Sequence, residues 1–179
     1  MLEIRFHGRG GQGTVNAAQM LARAIVRSGS YAQFIPAFGV ERKGSPVFGY
    51  FRMDDSIIWP KNQVYYPDGV VILDDSLLGA VPVYDGLKKG GFVVLNTMLD
   101  ASELELPESV GKLVYLDATG IARDVIGREI PNTVMLGALA RIVDGIDRDI
   151  LGELICEKYG EKNKQGFIAG YENAKIVER

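Results

Sequence analysis

Gly8-Arg9-Gly10-Gly11-Gln12-Gly13-Thr14 constrains this chain more than any other segment. It follows the apolar positions Leu2, Ile4 and Phe6 and leads into a helical pattern starting near Val15. Glycine is costly in backbone entropy, so a dense run marks a backbone that turns tightly and bares its N–H groups. A strand, a glycine loop and a helix N-terminus in that order form an anion site. Loop amides and helix dipole converge on one point there. Arg9 adds a positive charge. The bland alternative is a tight strand-to-helix turn that serves packing alone.

The loop fits two phosphate motifs incompletely. Gly8, Gly10 and Gly13 spell G-x-G-x-x-G. A dinucleotide site also needs an acid about 20 residues further on to hold the ribose. That region reads Tyr31-Ala32-Gln33-Phe34-Ile35, and the first acid is Glu41. Gly8 and Gly13 also have Walker A spacing, but Thr14 stands where the lysine belongs. Nucleotide hydrolysis is therefore disfavoured.

Alternating elements follow the loop. Leu2–His7 reads as a strand and Val15–Ser28 as a helix with Val15, Ala18, Ala22, Ile25 and Val26 on one stripe. Tyr31–Ile35 is a short strand. Pro46–Met53 and Ile57–Trp59 suggest a hairpin across Asp54-Asp55. Gly69–Leu73, Phe92–Leu95 and Leu113–Leu116 are continuous apolar strands of the kind buried in a parallel sheet. Ser76–Lys89 reads as a helix interrupted near Pro82, and Ala118–Ile126 as a short one. Thr133–Val143 is apolar almost all round, which marks a core or partner-contacting helix. Arg148–Tyr159 and Lys164–Val177 are amphipathic and finish the chain. This order predicts a single α/β domain over residues 1–179. Its architecture is a Rossmann-like, mainly parallel sheet flanked by helices, with a β-hairpin insertion.

Strand ends then matter, because ligands bind at the carboxyl edge of an open parallel sheet. Those ends are Gly8, Asp74-Asp75, Asn96-Thr97 and Asp117-Ala118-Thr119. Asp74, Asp75, Asp117 and Thr119 are better read as helix caps than as ligands of an ion. Two further segments look shaped for function. Pro36 to Pro46 brackets Glu41-Arg42-Lys43 between prolines and glycines, a loop of fixed shape. Pro131-Asn132-Thr133 forms a rigid lead-in to the apolar helix, with Asn132 or Thr133 as its cap.

Composition excludes other classes. A net charge of −3 argues against nucleic acid as a partner. No apolar run has the length of a membrane span, and Glu3 and Arg5 interrupt any signal-like start. A cytoplasmic location is expected. Cys156 is the one cysteine and His7 the one histidine. A four-cysteine cluster and a histidine-based zinc site are therefore beyond this chain alone. Cys156 reads as a small hydrophobe and His7 as a packed, hydrogen-bonded side chain. No catalytic residue and no metal ligand is assigned.

Four motifs in register resemble the gamma subunit of 2-oxoacid:ferredoxin oxidoreductases, of which pyruvate synthase is a member. They are Gly8–Gly13, Phe38-Gly39-Val40-Glu41-Arg42-Lys43-Gly44-Ser45-Pro46, Pro131–Ala138, and the tail from Glu161-Lys162-Asn163 to Gly170-Tyr171-Glu172. Val40 and Lys43 depart from the family's usual residues. The resemblance implies a subunit of a complex that decarboxylates a 2-oxoacid on thiamine diphosphate. Electrons pass through iron–sulfur clusters to ferredoxin, and the acyl group passes to coenzyme A. Alpha, beta and delta chains would carry the thiamine diphosphate and the clusters. This chain would position coenzyme A and close the active site, and it would be colourless and inactive alone. The residues implied for coenzyme A or phosphate are Gly8, Arg9, Gly10, Gly11, Gln12, Gly13, Thr14, Glu41, Arg42, Asn96 and Thr97. Those implied for a partner-facing loop are Phe38, Gly44, Ser45, Pro46, Pro131, Asn132 and Thr133. Two alternatives remain open on the residues alone: a free-standing nucleotide-binding regulator, and a structural subunit without a ligand.

Overall fold

The computed structural model describes residues 1–37 and 43–179. The expectations for Phe38, Glu41 and Arg42 lie outside the described residues. Among the described residues seven strands form one mixed sheet: β1 (Leu2–Arg9), β2 (Tyr31–Ala37), β3 (Pro46–Asp54), β4 (Gly69–Ile72), β5 (Gly91–Asn96), β6 (Val110–Leu116) and β7 (Lys175–Glu178). Their order across the sheet is β2-β3-β1-β4-β5-β6-β7. The central strands β1, β4, β5 and β6 are parallel. β3 runs antiparallel between β1 and β2, and β7 runs antiparallel along β6. The expected α/β class holds.

The helices are α1 (Thr14–Arg27), α2 (Ala118–Ile121, continued by a π turn to Ile126), α3 (Asn132–Ala140), α4 (Arg148–Tyr159) and α5 (Glu161–Asn173). One core joins α1, α3, α4 and α5 to Ile4, Phe6, Phe51, Val71, Val94 and Val114 of the sheet. The opposite sheet face carries Val70, Ile72, Val93, Leu95 and Leu113. Short 3-10 turns and irregular chain around Leu77, Val83 and Leu87 cover it, so the α-helices of this core lie on one face.

Four local expectations need correction. The partner of Pro46–Met53 in the hairpin is Tyr31–Ala37, not Ile57–Trp59. Phe34 decides this. Its ring fills the space beside Gly49 and meets Phe6 edge-on at 6.5 Å. Ile57 and Trp59 stay exposed instead, and buried Arg52 holds the loop after them through the carbonyls of Asn62 and Gln63. Second, Ser76–Lys89 is no helix. It forms a 3-10 turn at Asp75–Leu77 and then follows Pro82 and Gly86, whose φ is +69°. The free carbonyls of Val83 and Asp85 are satisfied by Arg5, which reaches up from β1. Third, Lys164–Val177 is not one helix. α5 ends at Asn173, and Ile176 and Val177 pair with Val114 and Leu113. Fourth, Val26 leaves the apolar stripe of α1 and is exposed, while Ala17, Met20, Leu21 and Ala24 are buried.

α3 is the central core helix and offers no apolar face to a partner. Residues Asn132 to Leu139 are all buried. Exposed aromatic surface lies elsewhere, at Trp59, Tyr65 and Tyr66.

Candidate functional site: a cationic cleft at the glycine loop

β1 delivers the glycine loop to the carboxyl edge of the sheet, where Arg9 pairs in register with Pro46. Two glycines are required there for separate reasons. A Cβ on Gly8 would lie 2.0 Å from Thr14 Oγ1, so the strand end could not approach α1. Gly13 has φ +77°, and a Cβ there would meet Asn132 Nδ2 at 2.5 Å. The glycine loop is thus closely fitted to α3. The segment before β3 is stitched to it as well: Gly10 N–H donates to Ser45 O at 2.9 Å, and Gly44 N–H to Gly10 O at 3.1 Å.

This packing leaves a cleft of about 1100 Å³. Its lining combines Gly10, Gly11, Gly13 and the first turn of α1 with Asn132 and the α4–α5 turn from Lys158 to Asn163. First-turn residues of α1, α3 and α5 therefore meet at one place. The first hydrogen bond along α1 runs from Ala17 N–H to Gly13 O, so the amides of Thr14, Val15 and Asn16 have no partner within the helix. Thr14 is 4% exposed, and its Oγ1 has no hydrogen-bond partner among the described residues. Tyr159 also lines the cleft, and its buried hydroxyl has no hydrogen-bond partner among the described residues. Charge is concentrated here. Arg9, Lys43, Arg128, Lys158 and Lys162 line the cleft, against Glu161 as the one carboxylate among the described residues there. The cleft therefore carries a local excess of cations on a chain of net charge −3, an electrostatic setting that favours an anion.

The sequence candidates divide on this geometry. Gly10, Gly11, Gly13, Thr14 and Asn132 line the cleft. Gly8 and Gln12 shape it from behind. Gln12 Oε1 accepts the Arg9 N–H at 2.7 Å, and its Nε2 donates to Asp74 at 2.7 Å. The Arg9 guanidinium is held by Ser76 Oγ, by Gly44 O and by Asp74 at 3.6 Å. Gly44, Ser45 and Pro46 brace the loop. Pro131 and Thr133 are buried, and Thr133 Oγ1 lies 3.3 Å from Asn163 Oδ1. No side-chain cap closes α3, since Asn132 accepts from the adjacent Thr133 N–H.

Asn96 and Thr97 stand apart from the cleft. Asn96 Nδ2 donates to Leu73 O and Thr119 Oγ1, and its Oδ1 accepts from Ala118 and Thr119. That side chain ties three strand ends together and has little left to offer a ligand. Thr97 donates to Asp75 and Asn96 to Thr119, and the residues that cap the turns are Asp74 and Asp117. Residues not singled out in the sequence are Arg128, Lys158, Tyr159 and Asn16. Scattered cations carry no spacing signal, and only the fold gathers them.

His7 is packed as expected, but its Nε2 has no hydrogen-bond partner among the described residues. Its ring stacks on Phe48 at 6.1 Å. Burial, reinforced by the charge on Arg5, pushes its pKa from 6.5 to about 3. The unfolded chain therefore takes up a proton below about 6.5 that the folded chain refuses down to about 3. Stability conferred by neutral His7 is complete above 6.5 and is lost as pH falls through that window. The slope approaches about 1.4 kcal/mol per pH unit. Urea unfolding of His7→Gln across this range is expected to show a shallower acid loss than the wild type. An unchanged slope would remove His7 from the account.

Comparison with known proteins agrees with this architecture. The profile of the pyruvate ferredoxin/flavodoxin oxidoreductase family matches residues 3–173. The pyruvate synthase subunit PorC of Methanothermobacter thermautotrophicus is 48% identical over 176 residues, covering 96% of this chain and 95% of that one. The common subunit gamma of the pyruvate/ketoisovalerate oxidoreductases of Thermococcus kodakarensis is 45% identical over 184 residues, covering 99% and 100%. The crystal structure of the Thermotoga maritima pyruvate oxidoreductase subunit PORC superposes with a TM-score of 0.86 at 36% identity, covering 99% and 98%. No helix among the described residues is long and apolar enough to cross a membrane. The chain belongs to the pyruvate ferredoxin/flavodoxin oxidoreductase family, as a gamma-type subunit of such an oxidoreductase complex.

Proposed function

We propose that this subunit holds the phosphate-bearing end of coenzyme A in the cationic cleft and closes over the active site of its complex. The observation that carries this reading is the meeting of α1 amides left unpaired by the helix, buried Thr14 Oγ1 and, among the described residues, five cations at one cleft. Coenzyme A presents a pyrophosphate and a 3′-phosphate, and both need donors and positive charge. The α1 amides suit one phosphate. Arg128, Lys158 and Lys162 suit the other. Thiamine diphosphate and iron–sulfur clusters would be carried by alpha, beta and delta chains, with ferredoxin as electron acceptor, in the cytoplasm. The relative from Thermococcus kodakarensis is named as common to a pyruvate and a ketoisovalerate enzyme. A shared gamma chain supports a role in handling the co-substrate that both reactions have in common. The choice of 2-oxoacid would then lie with other chains.

Arg128→Ala and Lys162→Ala test this in the assembled enzyme. Each loses a charge-assisted contact worth roughly 1.5–3 kcal/mol, so KM for coenzyme A should rise about tenfold or more. The KM for the 2-oxoacid should stay put. Wild-type coenzyme A dependence in both variants would sink the reading and favour a structural subunit.

A further inference from the structure

We infer that Asp74, in the turn just after β4, is the positioning residue of the glycine loop, setting its shape from behind without touching the ligand. The inference rests on the coenzyme A reading of the cleft. Asp74 is not among the residues that line the cleft. Its two oxygens are divided between two tasks. Oδ1 accepts from the backbone N–H and the hydroxyl of Ser76, which fixes the carboxylate on its own turn. Oδ2 faces the loop, accepts from Gln12 Nε2 at 2.7 Å and lies 3.6 Å from Arg9 Nε.

Gln12 transmits the constraint. Its Oε1 is held by the Arg9 N–H at 2.7 Å, so its amide cannot turn over without losing that bond. One side chain therefore spans the loop from Arg9 to Gln12 and is anchored at its far end on Asp74. Arg9 extends the network further. Its guanidinium donates to Ser76 Oγ and to Gly44 O, reaching the segment that pairs with Gly10. Glycine-rich backbone has little intrinsic preference for one shape, so side-chain anchors must supply it. The carboxylate is suited to this. Burial alone would raise its pKa, but hydrogen bonds from Ser76 and Gln12 and the charge of Arg9 hold it below the usual value.

The donor and acceptor pattern gives a direct test. Asp74→Asn keeps an oxygen for Ser76 but turns an NH2 group toward the NH2 group of Gln12. Gln12→Glu turns a carboxylate toward a carboxylate. The double variant restores the pattern with the roles exchanged. The amide introduced at position 74 donates to one oxygen of the carboxylate introduced at position 12. The other oxygen at position 12 still accepts from Arg9 N–H, and that carboxylate takes over the ion pair. In the assembled enzyme two readouts are followed: amide hydrogen exchange over residues 8–14, and steady-state kinetics. Each single variant should speed exchange and raise KM for coenzyme A about tenfold, with kcat nearly unchanged, and the double should recover most of both. Unchanged exchange in the single variants, or a double as poor as the singles, overturns the role of Asp74. Faster exchange with unchanged KM also overturns it, because loop shape would not govern the co-substrate. Arg128→Ala separates the causes: if it raises KM while the Asp74 variants do not, the cleft reading survives and only the positioning role falls.

Discussion

Gly137→Val is expected to abolish folding of this chain. Gly137 lies on α3 where α5 crosses it, and a Cβ there would stand 2.0 Å from Phe167 O and 2.7 Å from Tyr171 N. The contact is reciprocal, since a Cβ on Gly170 would stand 2.0 Å from Val134 O. These obstacles are backbone, so no side-chain rotation relieves them. The two helices must separate, and they share the core built on Val134, Leu136, Ala138 and Phe167. Losses above roughly 4 kcal/mol follow from such overpacking, against a typical total of about 5–15 kcal/mol. Gly152→Ala supplies the control. Its added Cβ would meet Phe167 at 3.6 Å, an ordinary contact, within a helix that gains about 1 kcal/mol from alanine. Thermal unfolding by circular dichroism should show no cooperative transition for Gly137→Val and an unchanged or higher Tm for Gly152→Ala. A wild-type Tm for Gly137→Val would contradict the described α3–α5 packing.

Gly13→Val should weaken the use of coenzyme A by about a hundredfold or more while leaving a folded subunit. A β-branched residue at φ +77° costs on the order of 1–3 kcal/mol. Its Cβ would also lie 2.5 Å from Asn132 Nδ2, on the first turn of α3. The loop must rebuild, and the amides of Thr14 to Asn16 lose their aim. Losing two charge-assisted contacts corresponds to a rise in KM for coenzyme A of about a hundredfold or more. The loop meets only the first turn of α3 and leaves the crossing of Gly137 with Phe167 intact, so folding and assembly should persist. Size-exclusion chromatography of the complex and coenzyme A titration measure the two effects separately. A variant that assembles and keeps its KM would show that the loop amides take no part.

The parallel strands were legible because Gly69–Leu73, Phe92–Leu95 and Leu113–Leu116 are uninterrupted apolar runs, a pattern local to each segment. The glycine loop was legible for the same reason: strand, loop and helix are contiguous in sequence. Errors arose where a distant residue decided the outcome. The hairpin partner of β3 was fixed by the ring of Phe34 over Gly49. The irregular path after Asp75 was fixed by Arg5, some 80 residues away. The apolar helix α3 could serve as core or interface on pattern alone, and only the cover supplied by α1, α5 and the sheet decided for the core. The cleft was half legible. Its glycine floor carries a motif, whereas Arg128, Lys158 and Lys162 come from two separate turns with no common spacing. Asp74 was readable as a cap, but its hold on Gln12 depends on β1 and β4 being neighbours.

A structure of the assembled enzyme with coenzyme A bound would show directly whether the cleft holds the phosphates. A phosphate of coenzyme A is expected within hydrogen-bond distance of the Thr14, Val15 or Asn16 amides, and a second phosphate beside Arg128, Lys158 or Lys162. Coenzyme A bound with both phosphate groups outside this cleft would contradict it.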